Sequence, residues 1–145
     1  DPSRIEVAKL YSREFYRLLA TKLKPGGMIC VQSTSPYHAK KVFLCIGETL
    51  RAAGYSALPY HQNVPSFGEW GFHVATFGKG QEQAMAEKLR KGQDPMVKTR
   101  FLSGAIMAAA THFGRDRLQC NETILPNSKM SPRILKYFKE AWVDY

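Results

Sequence analysis

The chain has 145 residues, 44% of them hydrophobic, and a formal net charge of +9. That length suits one ordinary core and a single domain, and eight Phe, seven Tyr and two Trp exclude a disordered chain. No apolar run approaches the roughly 18 residues that span a bilayer, and no charged-then-apolar leader opens the sequence.

A positive balance of this size favours nucleic acid, an anionic membrane surface or anionic small molecules as partners. The basic residues come as scattered pairs such as Lys40-Lys41 and Arg90-Lys91, with no run of five and no aromatic-interleaved RNA-binding signature. A solvated surface is therefore the first expectation, a juxtamembrane surface the second, and specific nucleic-acid binding the weakest. Cys30, Cys45 and Cys120 are odd in number and lack metal-ligand spacing, so a reduced, cytoplasmic setting is expected in place of a disulfide framework.

The first residues, Asp1-Pro2, carry no initiator methionine and read as a processed end or as part of a longer chain. Ser3 with Glu6 resembles a capping box, and Ser12 offers a second helix start. Tyr11, Phe15, Leu18, Leu19 and Leu23 recur at helical spacing, which predicts a first helix ending near Leu23. Pro25-Gly26-Gly27 fits a type II turn. Met28 to Thr34 then reads as a strand covered on both faces, with a polar tip at Gln32, Ser33 and Thr34. Ligands of open α/β sheets sit outside such carboxyl ends.

Ser35-Pro36 is a helix start, and Ala39, Val42, Phe43, Ile46, Leu50 and Ala53 form the clearest helical stripe, closed by Gly54. Tyr55–Val64 and Trp70–Phe77 read as antiparallel strands joined across a Pro/Gly connection. Weaker helices follow over Glu82–Lys91, within Phe101–Phe113, and from Ser131-Pro132 onward with Ile134, Leu135, Phe138 and Trp142 on one side. No Gly-rich phosphate or dinucleotide loop follows a strand, so an α/β fold here lacks a nucleotide-binding half.

Polar residues near the strand ends are Asp1, Gln32, Ser33, Thr34, His61, Gln62, Asn63 and Glu69. Asp1 could bind an amine or take a proton, or simply cap a turn; Gln32 could bond a substrate or be solvated. His61 and His73 face each other only if the hairpin register allows, and no third ligand completes a metal site. His38 and His112 read as surface or helix-packing residues, and Cys30 as inert packing. The hairpin Val64–Phe72, with three aromatics among two glycines and a proline, either walls an apolar pocket or packs on the sheet.

Asp1-Pro2, Leu10–Tyr16 (LYSREFY), Leu23–Gly27 (LKPGG), Val31-Gln32 and Val64–Phe72 (VPSFGEWGF) together resemble the spermidine synthase family, the polyamine aminopropyltransferases. The match runs over residues 1–77 and is most like the bacterial branch whose synthase domain follows a membrane region. The resemblance implies the carboxyl-terminal half of a Rossmann-like, methyltransferase-like α/β domain: a parallel strand-helix-strand unit, an antiparallel hairpin and extra helices. One partial domain is expected, with a synthase-like core at 1–77 and a mainly helical extension at 78–145.

It further implies transfer of an aminopropyl group from decarboxylated S-adenosylmethionine, as co-substrate, to a diamine such as putrescine. Asp1 matches the amine-binding second aspartate of Asp-x-x-Asp-Pro, Gln32 a glutamine lining the diamine site, and Phe67 a substrate-contacting tyrosine whose hydroxyl is lacking here. Trp70 joins Phe67 as a substrate-binding aromatic. The catalytic base falls three positions ahead of Asp1, so this chain alone is expected to be inactive and to bind no cofactor or metal. A homodimer or swapped assembly through the hub-strand edge is expected, in the cytoplasm or at the inner face of the cell membrane. A methyltransferase on the same fold and a non-catalytic polyamine- or partner-binding module remain the alternatives.

Overall fold

The computed structural model describes residues 1–142; the last three residues of the expected helical extension lie outside them. In chain order the elements are α1 (Ile5–Ala8), a 3₁₀ turn (Lys9–Tyr11), α2 (Arg13–Ala20), β1 (Met28–Gln32), α3 (Lys40–Ala52), β2 (Tyr55–Val64), β3 (Gly68–Phe77), α4 (Glu82–Arg90), α5 (Gly104–Ala110) and α6 (Arg133–Ala141). The sheet order is β1-β3-β2, and β3 is antiparallel to both neighbours. β1 and β2 therefore run parallel, as a strand-helix-strand unit through α3 requires, but the returning hairpin strand is inserted between them. This mixed α/β arrangement is consistent with part of a Rossmann-like methyltransferase fold.

Local chemistry sets many of the boundaries. Gly26 takes φ 73° and the Gly27 N–H donates to the Lys24 carbonyl at 2.8 Å, which is the type II turn that Pro25 prepares. Ser12, not Ser3, starts a helix: its Oγ accepts from the Phe15 N–H at 3.2 Å, whereas α1 begins after Arg4 without a side-chain cap. The first helix is thus broken in two and ends at Ala20, and Leu18, expected in the buried stripe, is exposed. Ser35 Oγ accepts from the N–H groups of Tyr37 and His38, both at 3.2 Å, and a tight turn precedes α3. Gly54, at φ 102°, ends the α3 segment.

Helix α3 packs one face of the sheet, where Val42, Phe43, Ile46 and Leu50 are fully buried. Each such side chain contributes about 1.5–3 kcal/mol of transfer free energy. β1 departs from the expectation of a strand covered on both faces. It is an edge strand whose Met28 is 53% exposed and whose Cys30 is exposed as well. An apolar run reports hydrophobicity but not how many layers cover it. At the other edge, β2 accommodates Pro59, which has no N–H to donate to a ladder.

His73 lies under α3, fully buried, with its ring 4.6 Å from that of Phe43. Its Nδ1 is 2.8 Å from Ser33 Oγ, and Ser33 Oγ donates to the Val31 carbonyl at 2.9 Å; both contacts are met at once when Nδ1 carries the ring hydrogen. A Cβ on Gly47 would lie 2.8 Å from His73 Nε2, and one on Gly71 would collide with the Phe43 ring. Small residues at these two sites let helix and sheet close on the imidazole. Pro59, not His61, sits opposite His73, so the two histidines do not pair.

Asn127 joins the terminal segments to this core. Its Nδ2 donates to the carbonyls of Ala8 and Tyr11, both at 3.0 Å, and its Oδ1 accepts from the Ile134 N–H at 3.3 Å. Its backbone N–H donates to Thr49 Oγ1 at 2.8 Å and its carbonyl accepts from the Arg13 N–H at 3.0 Å. In α6 the buried residues are Ile134 and Tyr137, with Leu135 and Phe138 half-buried; Trp142, expected on that face, is exposed. On the surface Lys41 bridges Glu122 and Glu140.

Asn127→Ala leaves two carbonyls and one N–H buried without partners and should lower stability by about 3 kcal/mol or more, or roughly 10 °C in a thermal melt. Asn127→Asp should fail similarly, because a carboxylate cannot donate. For His73, burial first and the Arg51 charge second lower the pKa to about 3. The unfolded chain then binds a proton below its ordinary value of about 6.5 that the folded chain refuses, so stability is present above that pH and declines as pH falls toward 3. Urea melts between pH 6.5 and 4.5 should show the native chain losing up to about 1.4 kcal/mol per pH unit more than His73→Gln.

Candidate functional site

The carboxyl end of β1 gathers three polar side chains from separate parts of the chain. Gln32, the last residue of β1, directs Nε2 to Asp1 Oδ1 at 3.3 Å and accepts from the Tyr11 hydroxyl at Oε1 over 3.4 Å. Asp1 is exposed while Pro2, next to it, is fully buried and anchors the segment. Tyr11 is half-buried, and that burial raises its phenol pKa, which keeps it a hydrogen-bond donor.

Ser33 and Thr34, expected at the polar tip with Gln32, turn inward. Both are buried, Ser33 against His73, while Thr34 takes φ 58° and its Oγ1 finds no protein partner. A β-branched residue in this region stores on the order of 1–3 kcal/mol of strain. The Gly71 N–H, donating to the Thr34 carbonyl at 2.6 Å, and the Ser33 N–H, donating to the Gly71 carbonyl at 2.8 Å, hold the bend in place. Bending the backbone there leaves Gln32 as the last accessible side chain of the strand.

The register places Gln32, Phe72 and Tyr60 directly opposite one another across the three strands, hence on one face. Tyr60 and Phe72 stack with centroids 5.1 Å apart. Cys30, two residues before Gln32, lies 3.0 Å through its Sγ from the Tyr60 hydroxyl, so it is an exposed hydrogen-bonding group and not the inert packing residue that its sequence context suggested. Trp70 continues the row two residues from Phe72, and its ring lies 5.0 Å from that of Phe67. Phe67 is 61% exposed at the hairpin turn. The structure thus brings Asp1 to Gln32 and Phe67 to Trp70, as two neighbouring pairs.

Of the remaining polar candidates, His61, Asn63 and Glu69 lie on the opposite face, whereas Gln62, paired with Trp70, is on the face of the aromatic row. His61, Gln62, Asn63 and Glu69 line a cavity of about 480 Å³ with Arg117 and residues of the α5 end. His61 Nδ1 is 3.3 Å from Glu69 Oε1, its Nε2 2.6 Å from the His112 carbonyl, and Arg117 reaches Glu69 at 3.8 Å while lying over the Tyr37 ring. These groups satisfy one another and tie the hairpin to the segment after α5. Among the described residues no three His, Cys, Asp or Glu side chains come together as a metal site, and no helix is long and apolar enough to cross a membrane.

Sequence reasoning missed Tyr11 as a member of the tip. Its helical spacing marked it for the core, and only its place at the end of a 3₁₀ turn sends the hydroxyl to Gln32.

Residues 1–87 match the spermine/spermidine synthase domain. The chain is 41% identical over its whole length to polyamine aminopropyltransferase 1 of Streptomyces coelicolor, of which it covers 26%. It is 39% identical, over 99% of its length, to the polyamine aminopropyltransferase of Shewanella oneidensis, covering 25% of that protein. With that of Oceanobacillus iheyensis the identity is 36% over the full chain and 27% of the relative. The chain spans about a quarter of the length of the curated relatives it matches. With the family pattern covering more than half of it, this chain belongs to the spermine/spermidine synthase domain family.

Proposed function

We propose that this chain is the acceptor-amine half of a polyamine aminopropyltransferase catalytic domain. The observation that carries the reading is the contact of Gln32 with Asp1 at the open end of β1, where the Gln32 amide N–H donates to a carboxylate at the surface. A diamine such as putrescine offers an ammonium that a carboxylate holds by a charge-assisted hydrogen bond. Phe67 and Trp70 supply apolar faces to its methylene chain.

In the reaction, the lone pair of the free amine attacks the aminopropyl carbon attached to the sulfonium of decarboxylated S-adenosylmethionine. A carbon–nitrogen bond forms, the carbon–sulfur bond breaks, the sulfonium becomes a neutral thioether, and the amine gives up one proton. On this reading the proton goes to a carboxylate three positions ahead of Asp1, and the donor binds to parts of the relatives that this chain does not span. The 145 residues alone then hold an amine without turning it over. Relatives named polyamine aminopropyltransferases support the reading.

The outer edge of β1 has no strand neighbour among the described residues, and its Met28 and Cys30 are open. A further strand of the parent domain or a second copy of this chain would pair there. The charge of +9 would suit a parent protein held beneath an anionic leaflet, a reading that retention on anionic but not neutral vesicles would support.

Putrescine titrated into the chain and followed by NMR should shift the Asp1 and Gln32 signals, and Asp1→Asn should weaken binding by about tenfold or more. Failure of the native chain to bind would overturn the reading, and methyl transfer from intact S-adenosylmethionine by the longer gene product would replace it with the methyltransferase alternative. Sedimentation at tens of micromolar should show association through the β1 edge; a stable monomer would remove that part.

A further inference from the structure

We propose that Tyr11 is a positioning residue of the amine site, whose hydroxyl holds the Gln32 side-chain amide in the orientation that serves an incoming ammonium. The proposal rests on the reading of Asp1 and Gln32 as that site.

A glutamine amide can sit two ways round, and its surroundings choose. Asp1, when ionised, only accepts, so it selects the orientation with Nε2 toward it. An ammonium at Asp1 competes with Nε2 for the carboxylate charge, which weakens that selection. The Tyr11 hydroxyl does not lose its role at that moment. It donates to Oε1 at 3.4 Å from the opposite side, and since burial raises its pKa it remains a donor throughout the working pH range. One lone pair of Oε1 is taken by Tyr11, which leaves the second to accept from the ammonium. Asp1 and Oε1 thus present two acceptors in a fixed relation.

Tyr11 is itself held from behind. Asn127 Nδ2 binds the carbonyls of Ala8 and Tyr11, which brackets the 3₁₀ turn Lys9–Tyr11, and the Ser12 cap begins α2 immediately after it. The turn cannot rotate without breaking one of these bonds. An unbroken series of contacts therefore runs from the buried centre of the molecule to the exposed amide. Tyr11 touches no substrate in this scheme and acts through Gln32.

The test uses the 145-residue chain and Tyr11→Phe, which removes one oxygen and keeps the ring. In the native chain the two Gln32 side-chain N–H protons should be well separated in shift, with nuclear Overhauser contacts to Asp1. In Tyr11→Phe those signals should draw together and lose order while the remaining amide spectrum is retained, and the putrescine Kd should rise about three- to tenfold. A merely structural role for Tyr11 would change melting temperature without moving the Gln32 amide. Unchanged Gln32 signals and Kd in a folded variant would overturn the proposal. If the native chain binds no putrescine, the amine-site reading fails by itself, and the Gln32 signals still decide whether Tyr11 orients the amide. Should the variant not fold, the native spectrum decides: a Gln32 amide that reorients freely on the nanosecond scale would overturn the proposal, and an ordered one with the expected contacts supports it.

Discussion

Asn127 is the constraint on which the arrangement of the terminal segments depends. It lies between α5 and α6, outside regular structure, yet both side-chain polar atoms and both backbone groups are engaged with residues 8, 11, 13, 49 and 134. These partners belong to the 3₁₀ turn and its flanks, to α2, to α3 and to α6. A fully satisfied buried network of this kind specifies one packing, because any alternative leaves several polar groups without partners in a low-dielectric interior. Hydrophobic contact alone would let the amino-terminal segment slide over α3. The asparagine removes that freedom and sets where Asp1 and Tyr11 stand relative to β1.

At the other end of this linkage, the bend after Gln32 does the corresponding work. Thr34 in the left-handed region and the two backbone bonds to Gly71 stop β1 after five residues and carry Ser33 and Thr34 inward. The strain is borne by a well-packed surround of Phe43, His73 and α3. The result is a strand end with one accessible amide, one carboxylate beside it, and an aromatic row running away across the sheet.

The elements that sequence reasoning located well are those governed by single-residue backbone preferences. Gly26 and Gly54 adopt the positive φ assigned to them, Ser12 caps a helix, and the hairpin forms around its Pro/Gly connection. The family resemblance, carried by short motifs in order, also matched over residues 1–87. What escaped were properties of pairs. The insertion of β3 between β1 and β2, the exposure of Cys30, the burial of Thr34 and the separation of His61 from His73 all depend on register and on which face receives α3. Nothing in the local residue types distinguishes these outcomes.

The amino-acid sequence by itself determined where the chain turns, which stripes are apolar and which family it belongs to, and it singled out Asp1 and Gln32 as candidate site residues. Those are encoded in side-chain shape, backbone preference and motif order, each readable over a few neighbouring residues. Only the tertiary structure decided that Asp1, Tyr11 and Gln32 meet, that Asn127 holds them so, and that Ser33 and Thr34 do not join them. Contacts between residues tens to more than a hundred positions apart are chosen by the packing and hydrogen-bond satisfaction of the whole interior, which no short stretch of chain contains.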